Sequence, residues 1–299
     1  MVDHLFDFEK GAIKFIRGGQ YPFCHSVLVD DQIRAVIDAS SDREKLLAFQ
    51  NQGRVEYLFN THAHEDHLVF NYLFPRSTFC AHILDAPHFG SIDSLIDCYG
   101  DMSPEEMEKW RKFFLEECHY HPRRLDLSLE DGQVMDLGKT RMEIIHTPGH
   151  TRGHICFYFP HEKILFTGDL DLTRIGPYYA DRTSSLEETL RSLERLKTYD
   201  AETYLTAHGK GIHEGNPAYI DRYSKIIFAR EEKLIDLLHR SPKTLAQVVE
   251  KGIIYGQHPG ILGDWDLSLS ERGMMIKHLD RLVKNNRVRR EGDLFILIQ

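Results

Sequence analysis

The stretch that decides the fold is NTHAHEDH, residues 60–67, which follows the apolar run VEYLF. In an extended segment alternate side chains point the same way, so His62 and His64 can share one cation. A turn after them would bring Asp66 and His67 toward a neighbouring position. The H-x-H-x-D-H pattern therefore predicts a metal site at a strand end, with a cluster of surface histidines in a polar turn as the alternative.

Three further candidate ligands each follow an apolar strand. His150 stands in IIHTPGHTRGH, Asp169 in ILFTGDLD and His208 in YLTAHGKG. Each has a glycine next to it, where the backbone can turn sharply and bring a side chain close to a metal ion. Taken singly they are also ordinary loop or capping residues. Together with residues 60–67 they offer imidazoles and carboxylates but no thiolate, a set that suits zinc, iron or manganese.

Residues 12–215 resemble a metallo-β-lactamase superfamily hydrolase. The matching pieces stand in the family's order: Asp38 in AVIDAS, residues 60–67, His150 in TPGHT, Asp169 in TGD and His208 in TAHG. The resemblance implies an α/β fold, an αβ/βα sandwich with two metal ions at one edge of its two sheets. The later segments are similar to the branch that includes β-lactamase-like endoribonucleases and thioesterase-like hydrolases.

The resemblance also implies how the ligands divide between two metal ions. The first ion would be held by His62, His64 and His150. The second would be held by Asp66, His67 and His208. Asp169 would bridge both ions, whereas Asp38 would bind neither and would orient the histidine loop.

Such a centre can hydrolyse a bond without a Ser or Cys nucleophile. Two divalent cations about 3.5–4 Å apart can share one water and lower its pKa from near 15.7 to about 7. The bridging hydroxide would attack an ester, thioester or phosphodiester while the cations polarise it. Asp66 and Asp169 are expected to act as catalytic residues through the metals, not as free bases. Tyr178 and Tyr179 in GPYYAD are candidates to line the substrate cleft, or to pack against the sandwich.

The chain is predicted to contain two domains. Residues 1–222 form the catalytic domain, with a helical insertion at about 85–125 that includes the capping box Ser103-Pro104-Glu105-Glu106. Residues 223–299 follow the order of three helices and a β-hairpin, which is typical of a winged helix. This C-terminal domain would shape the cleft or pair two subunits in a dimer.

Three functions are compatible with these residues. The first is a dinuclear metal hydrolase, most simply a zinc enzyme, of a small ester or thioester; no glutathione-binding signature is evident, so a hydroxyacylglutathione hydrolase is one possibility among several. The second is an endoribonuclease, and the third is a diiron redox protein. The endoribonuclease would use basic C-terminal residues to contact RNA phosphates: Arg272, Lys277, Arg281, Lys284, Arg287, Arg289 and Arg290.

The composition of the chain indicates which binding partners and which cellular location to expect. The chain has 299 residues and a formal net charge of −9, which argues against a generic binder of polyanions. Its five cysteines are scattered without a CxxC, as expected of reduced thiols in the cytoplasm. The first residues lack the basic start and apolar run of a signal peptide, and no apolar run approaches the length of a membrane span. We therefore expect a cytoplasmic protein.

Overall fold

Two β-sheets lie face to face in the computed structural model, which describes residues 5–256 and 267–298. The first sheet has the order β1 to β7; its strands are Phe8–Lys10, Ile13–Ile16, Ser26–Val29, Ala35–Ile37, Tyr57–Phe59, Thr78–His82 and Leu127–Leu129. The second has the order β13-β12-β11-β10-β9-β8; β8 to β13 are Val134–Asp136, Arg141–His146, Ile155–Phe159, Ile164–Phe166, Thr203–Leu205 and Ile212–Glu214. Alternating buried residues of both sheets, such as Phe15 and Phe157, form the central core.

Helices cover the outer faces of both sheets. In chain order α1 to α8 are Arg43–Asn51, Ala86–Gly90, Ile92–Cys98, Pro104–Glu116, Leu186–Leu196, Pro217–Arg240, Leu245–Val249 and Ser268–Lys284. Short 3₁₀ turns occupy Glu65–His67, Asn71–Leu73 and Ile83–Asp85. Within the described ranges, no helix has both the length and the apolar character needed to cross a membrane.

Apolar side chains explain which helix lies on which face. Leu46 and Phe49 of α1 and Phe114 of α4 join the cluster on the outer side of the first sheet. Leu193 of α5 and Ile227 of α6 join the corresponding cluster outside the second sheet. The layers are therefore helix, sheet, sheet and helix, and the predicted αβ/βα sandwich is confirmed.

The strands bring the candidate ligands to one edge of the sandwich. Strand β5 runs parallel to β4 and ends immediately before residues 60–67. Strand β11 runs parallel to β12, so the segments that carry Asp169 and His208 leave the second sheet at the same edge. Strand β9 ends at His146, four residues before His150. Because the carboxyl ends of these strands meet, residues far apart in sequence can face each other.

The C-terminal region has its own small sheet and core. Strands β14 to β16, Lys243–Thr244, Val288–Glu291 and Leu294–Leu297, form a sheet in which β16 is central. The three helices and the hairpin follow the predicted order. Residue 222, the predicted domain boundary, lies inside the continuous helix α6. The assignment as a separate winged-helix domain stays a prediction.

Candidate metal centre

Seven side chains converge at the sheet edge in two groups that share one carboxylate. In the first group, His62, His64, His150 and Asp169 each offer one atom, and these atoms all lie within 4.8 Å of one another. The second group meets the same criterion and contains Asp66, His67 and His208. The structure thus brings together all seven residues that the sequence singled out.

Three imidazole nitrogens meet in the first group. The Nε2 atom of His150 lies 3.1 Å from Nε2 of His62 and 3.0 Å from Nδ1 of His64. Burial lowers the pKa of His62 well below its ordinary value and lowers the pKa of His150 to about 4. Both rings are therefore neutral near pH 7, so their lone pairs are available for a cation.

Asp169 joins the two groups through its two oxygens. Its Oδ2 lies 3.3 Å from Nε2 of His150, whereas its Oδ1 lies 2.9 Å from Nε2 of His67 and 3.2 Å from Nε2 of His208. Asp66 completes the second group, with Oδ2 3.2 Å from Nε2 of His208. The His67 nitrogen and Asp169 Oδ1 are buried, yet neither makes a hydrogen bond of acceptable geometry. Buried polar atoms without partners are costly, so this donor set fits divalent cations that would satisfy them.

The opposite nitrogen of four histidines is occupied by a protein group. The contacts are His62 Nδ1 to Thr61 Oγ1 at 3.0 Å, His64 Nε2 to Asp181 Oδ2 at 2.8 Å, His67 Nδ1 to Asp38 Oδ2 at 2.9 Å, and His150 Nδ1 to the Tyr178 carbonyl at 3.0 Å. Such contacts fix the tautomer and the ring orientation of a histidine ligand. One nitrogen of each ring is left facing the centre.

Asp38 is fully buried beneath the histidine loop. It accepts hydrogen bonds from the Thr61 backbone N–H and hydroxyl, each at 2.8 Å, besides its contact with His67. Its φ of 50° is unusual for a residue other than glycine, although Asp tolerates it better than most. Cys24 lies beside the same pair, where burial raises the pKa of its thiol and disfavours the thiolate that binds metals.

Sequence reasoning missed Asp181. Burial alone would lower the pKa of His64, but the Asp181 carboxylate outweighs it and raises this pKa to about 9. Asp181 is itself buried. It lies in the loop before α5, more than a hundred residues from His64, and no motif marks it.

Sequence reasoning also missed Asp85 and His154, which make hydrogen bonds to segments that carry the candidate ligands. Asp85 accepts from the Ala63 backbone at 3.3 Å and the Gly153 backbone at 2.7 Å, so it joins the two histidine-bearing loops. His154 accepts a hydrogen bond at 3.2 Å from the Asp169 backbone N–H. The first segment of the 85–125 insertion thus reaches the centre.

The two candidate cleft tyrosines have different surroundings. The half-buried Tyr178 has its ring centroid 5.6 Å from that of His150 and 6.0 Å from that of His64. Tyr179 is fully buried, and its hydroxyl contacts His278 and Arg230 of the C-terminal helices. Of the two roles considered for these tyrosines, the burial of Tyr179 favours packing, and Tyr178 stays the candidate to line the cleft.

The cluster is most open at His208. Its side chain is 26% exposed, compared with 13% for Asp169 and 10% for Asp66, and His62 and His67 are fully buried. A substrate can therefore approach from the side of the second group.

Comparisons with known proteins agree with this geometry. A family model described as the metallo-beta-lactamase superfamily matches residues 21–208. A hydroxyacylglutathione hydrolase from Methylococcus capsulatus is 28% identical over 210 residues, which cover 66% of this chain and 69% of that protein. In several other relatives with that name, the match covers half of the relative or less.

Two solved structures are similar over nearly the whole chain. A metallo-beta-lactamase family protein from Thermus thermophilus has a TM-score of 0.72 and 22% identity, covering 96% of this chain and 99% of that chain. A beta-lactamase domain protein from Burkholderia ambifaria has a TM-score of 0.77 and 18% identity, covering 99% of this chain and 97% of that chain. These likenesses concern the fold and include the C-terminal region.

Proposed function

Because the chain belongs to the metallo-beta-lactamase superfamily, we propose that it is a dinuclear metal-dependent hydrolase of a small thioester or ester. The observation that carries the proposal is Asp169, whose two carboxylate oxygens face two separate sets of donor atoms. His62, His64 and His150 would hold one ion; Asp66, His67 and His208 would hold the other. Asp169 would be shared.

The donor set favours zinc, with iron and manganese as alternatives. Imidazole nitrogens and carboxylate oxygens suit all three metals, and thiolates are not among the seven groups. Divalent ions held here would supply a nucleophilic water at neutral pH and would polarise the scissile carbonyl group.

The chain's own residues would prepare the centre for this chemistry. Asp38, Asp181 and the Tyr178 carbonyl each contact one nitrogen of a histidine ring and so hold the other nitrogen toward the centre. His62 is fully buried, whereas His208 is the most exposed of the seven side chains. The Tyr178 ring, which packs against two of the histidines, is the remaining candidate to line the cleft. Fixed, preoriented groups lose little free energy to rearrangement during the reaction.

The names of the curated relatives favour a thioester as the substrate class of this chain. The curated relatives, which are similar over different shares of their length, are named hydroxyacylglutathione hydrolases. The name denotes a thioester of a peptide thiol. We therefore propose thioester hydrolysis ahead of ester hydrolysis for this chain.

Metal analysis combined with a substrate screen tests the proposal. Purified protein should contain close to two divalent ions and should hydrolyse thioesters or esters until a chelator removes the metal. An Asp169→Asn variant should lose both the bound metal and the hydrolysis. The Asp236→Asn variant, altered at an exposed position, should keep both. Hydrolysis that continues after complete metal removal would refute the dinuclear mechanism.

The structure offers no specific support for the endoribonuclease alternative. Arg281, one of the cations expected to contact phosphates, is engaged by Glu231 and Glu187 at 2.6 Å and 2.9 Å. Lys277 donates to the Arg182 carbonyl at 3.0 Å. Two of the seven cations therefore already have protein partners, and RNA cleavage stays the second alternative, which an assay of RNA degradation would test. Iron content and visible absorption would reveal the diiron alternative.

A further inference from the structure

The segment 85–125, which contains α2 to α4, contributes an aromatic side chain to the edge of the metal centre. Tyr99 follows directly after α3 and is 8% exposed. Its ring stacks on the ring of His64, with the centroids 5.3 Å apart and the planes 29° from parallel. A residue outside the ligand motifs is therefore in direct contact with a proposed ligand.

A buried carboxylate fixes the position of the Tyr99 hydroxyl. Glu65 lies between the proposed ligands His64 and Asp66 and is 4% exposed. One of its carboxylate oxygens accepts a hydrogen bond from the hydroxyl of Tyr99, and the other accepts one from the hydroxyl of Tyr21. Because a buried carboxylate without donors is costly, both hydroxyls are needed at these places. Tyr99 is thus connected to the ligand loop through its hydroxyl as well as through its ring.

Helix α4 packs against Tyr99 as well. The rings of Trp110 and Tyr99 are stacked with their centroids 4.9 Å apart, and the ring of the buried Phe114 lies 6.1 Å from that of Tyr99. Trp110 and Phe114 are four residues apart, so they lie on one face of α4. Tyr99 therefore links α4 to His64.

The end of α3 is also joined to the loop that carries Asp181. The backbone N–H of Arg182 donates to the Cys98 carbonyl at 2.8 Å. Asp181, the residue before it, contacts Nε2 of His64. Tyr99 and Asp181, which both contact His64, are therefore attached to each other through the backbone of their neighbours.

The two contacts restrict different motions of the His64 ring. The contact with Asp181 fixes one ring nitrogen, but a ring held at one atom can still rotate about the line from that nitrogen to the carboxylate. A flat ring stacked on the face of His64 opposes this rotation. The orientation matters because Nδ1 of His64 lies 3.0 Å from Nε2 of His150, among the donor atoms of the first group.

We infer that Tyr99 is a positioning residue of the metal centre, which holds His64 in its metal-binding orientation through the ring stack and the hydrogen bond to Glu65. The inference rests on the proposed function. It makes the segment 85–125 a part of the centre, although this segment supplies none of the seven proposed ligands. Loss of a residue that orients a ligand typically weakens metal binding by about 10–100-fold.

Cobalt(II) binding tests the inference without relying on catalysis. We would titrate the metal-free protein with cobalt(II) and record its visible absorption, which reports the coordination geometry of the ion. Tyr99→Leu should weaken the binding of at least one ion by about 10–100-fold and change the spectrum of the loaded protein. Tyr99→Phe keeps the ring that stacks on His64 and loses only the hydrogen bond to Glu65. It should retain most of the affinity that Tyr99→Leu loses.

Tyr120→Leu is the matched control. Tyr120 is a tyrosine of the same segment, 3% exposed, and its hydroxyl donates to the His88 carbonyl at 2.8 Å. Both leucine variants lose one buried ring and one hydrogen bond, so both should lower the unfolding temperature. Of the two, Tyr99→Leu alone should change the cobalt affinity and spectrum. Should Tyr99→Leu fail to fold, Tyr99→Met, whose flexible side chain fills irregular space but has no flat ring, replaces it with the same expectations.

The outcomes separate the two proposals. If Tyr99→Leu binds cobalt with the affinity and the spectrum of the unmodified protein, or if Tyr120→Leu changes both equally, the positioning role is refuted. If Tyr99 affects cobalt binding as expected but the unmodified protein hydrolyses neither thioesters nor esters, the positioning role stands and the proposed function fails. If the unmodified protein binds no cobalt, both are refuted.

Discussion

Asp169 shows how a single residue joins two sets of ligands. Its Oδ1 and Oδ2 atoms lie 2.9 Å and 3.3 Å from nitrogens of different histidines, and burial would ordinarily raise its pKa. The neighbouring His208 and His67 more than reverse this effect, so the pKa of Asp169 lies well below its usual range. The carboxylate therefore stays ionised throughout the physiological range.

Replacing one oxygen of Asp169 should uncouple the two groups. Asp169→Asn keeps the shape of the side chain but puts a poor ligand where an oxygen faces one group. We expect metal affinity to fall by more than the roughly 10–100-fold seen when a residue that only orients a ligand is lost. Competition with a metal indicator measures this. Full metal content together with retained activity would contradict the bridging assignment.

Asp38 should affect metal binding without contacting a metal. Asp38→Asn preserves the residue size and tolerates the positive φ, but it replaces one acceptor for Thr61 or His67 by a donor. We expect about 10–100-fold weaker metal binding. The same indicator assay measures it, with Asp236→Asn as the control. Unchanged affinity would show that Asp38 does not orient His67.

At the scale of elements, the loops after the strands decide the site. The TPGH loop after β9 needs a glycine at position 149, where φ is +135° and an added Cβ would lie 2.3 Å from the Thr189 backbone nitrogen. The Gly149 carbonyl also accepts a hydrogen bond from the N-cap residue Ser185. The loop that carries His150 is thus built directly against the start of α5.

Gly149→Ala should therefore damage both stability and the centre. The clash involves backbone, so the loop or α5 must move, and we expect a loss of about 2–4 kcal/mol in the free energy of unfolding. Urea denaturation and zinc titration measure the two effects. Gly132→Ala is the control, since Gly132 also has a positive φ, +72°, but an added Cβ there would meet no atom within 4 Å. Equal effects of both substitutions would show that backbone conformation alone, not the contact with α5, makes Gly149 necessary.

At the scale of the whole molecule, the C-terminal helix α6 makes hydrogen bonds to a loop that contacts the metal centre. Arg230 on α6 is buried and donates to the Pro177 carbonyl at 2.7 Å, the Ile175 carbonyl and the Tyr179 hydroxyl at 2.8 Å. The same loop presents the Tyr178 carbonyl to His150. The C-terminal region is therefore connected to a proposed ligand through one loop.

Removing this connection should weaken both the fold and the metal site. Arg230→Met keeps most of the side-chain volume but leaves buried carbonyl groups without a donor, which should cost about 2–4 kcal/mol. Zinc affinity should fall as well, because His150 loses its fixed orientation. Thermal unfolding and zinc titration of Arg230→Met, compared with the exposed Arg240→Met, measure both. Normal zinc affinity in a destabilised variant would show that α6 supports only the fold.

The sequence by itself predicted the sandwich through its resemblance to the metallo-β-lactamase superfamily. It predicted the seven converging residues from short motifs that follow apolar strands, because strand alternation and strand-end turns are local properties of the chain. The boundary near residue 222 could not be located in this way, because a helix propensity continues through it and α6 runs from Pro217 to Arg240.

Only the tertiary structure decided which other residues serve the centre. Asp181, Asp85 and Arg230 act through contacts with segments about 50 to over 100 residues away, and their local sequence resembles that of ordinary surface residues. The two adjacent tyrosines, Tyr178 and Tyr179, could not be told apart for the same reason: the sequence did not say which of them lies beside the histidines.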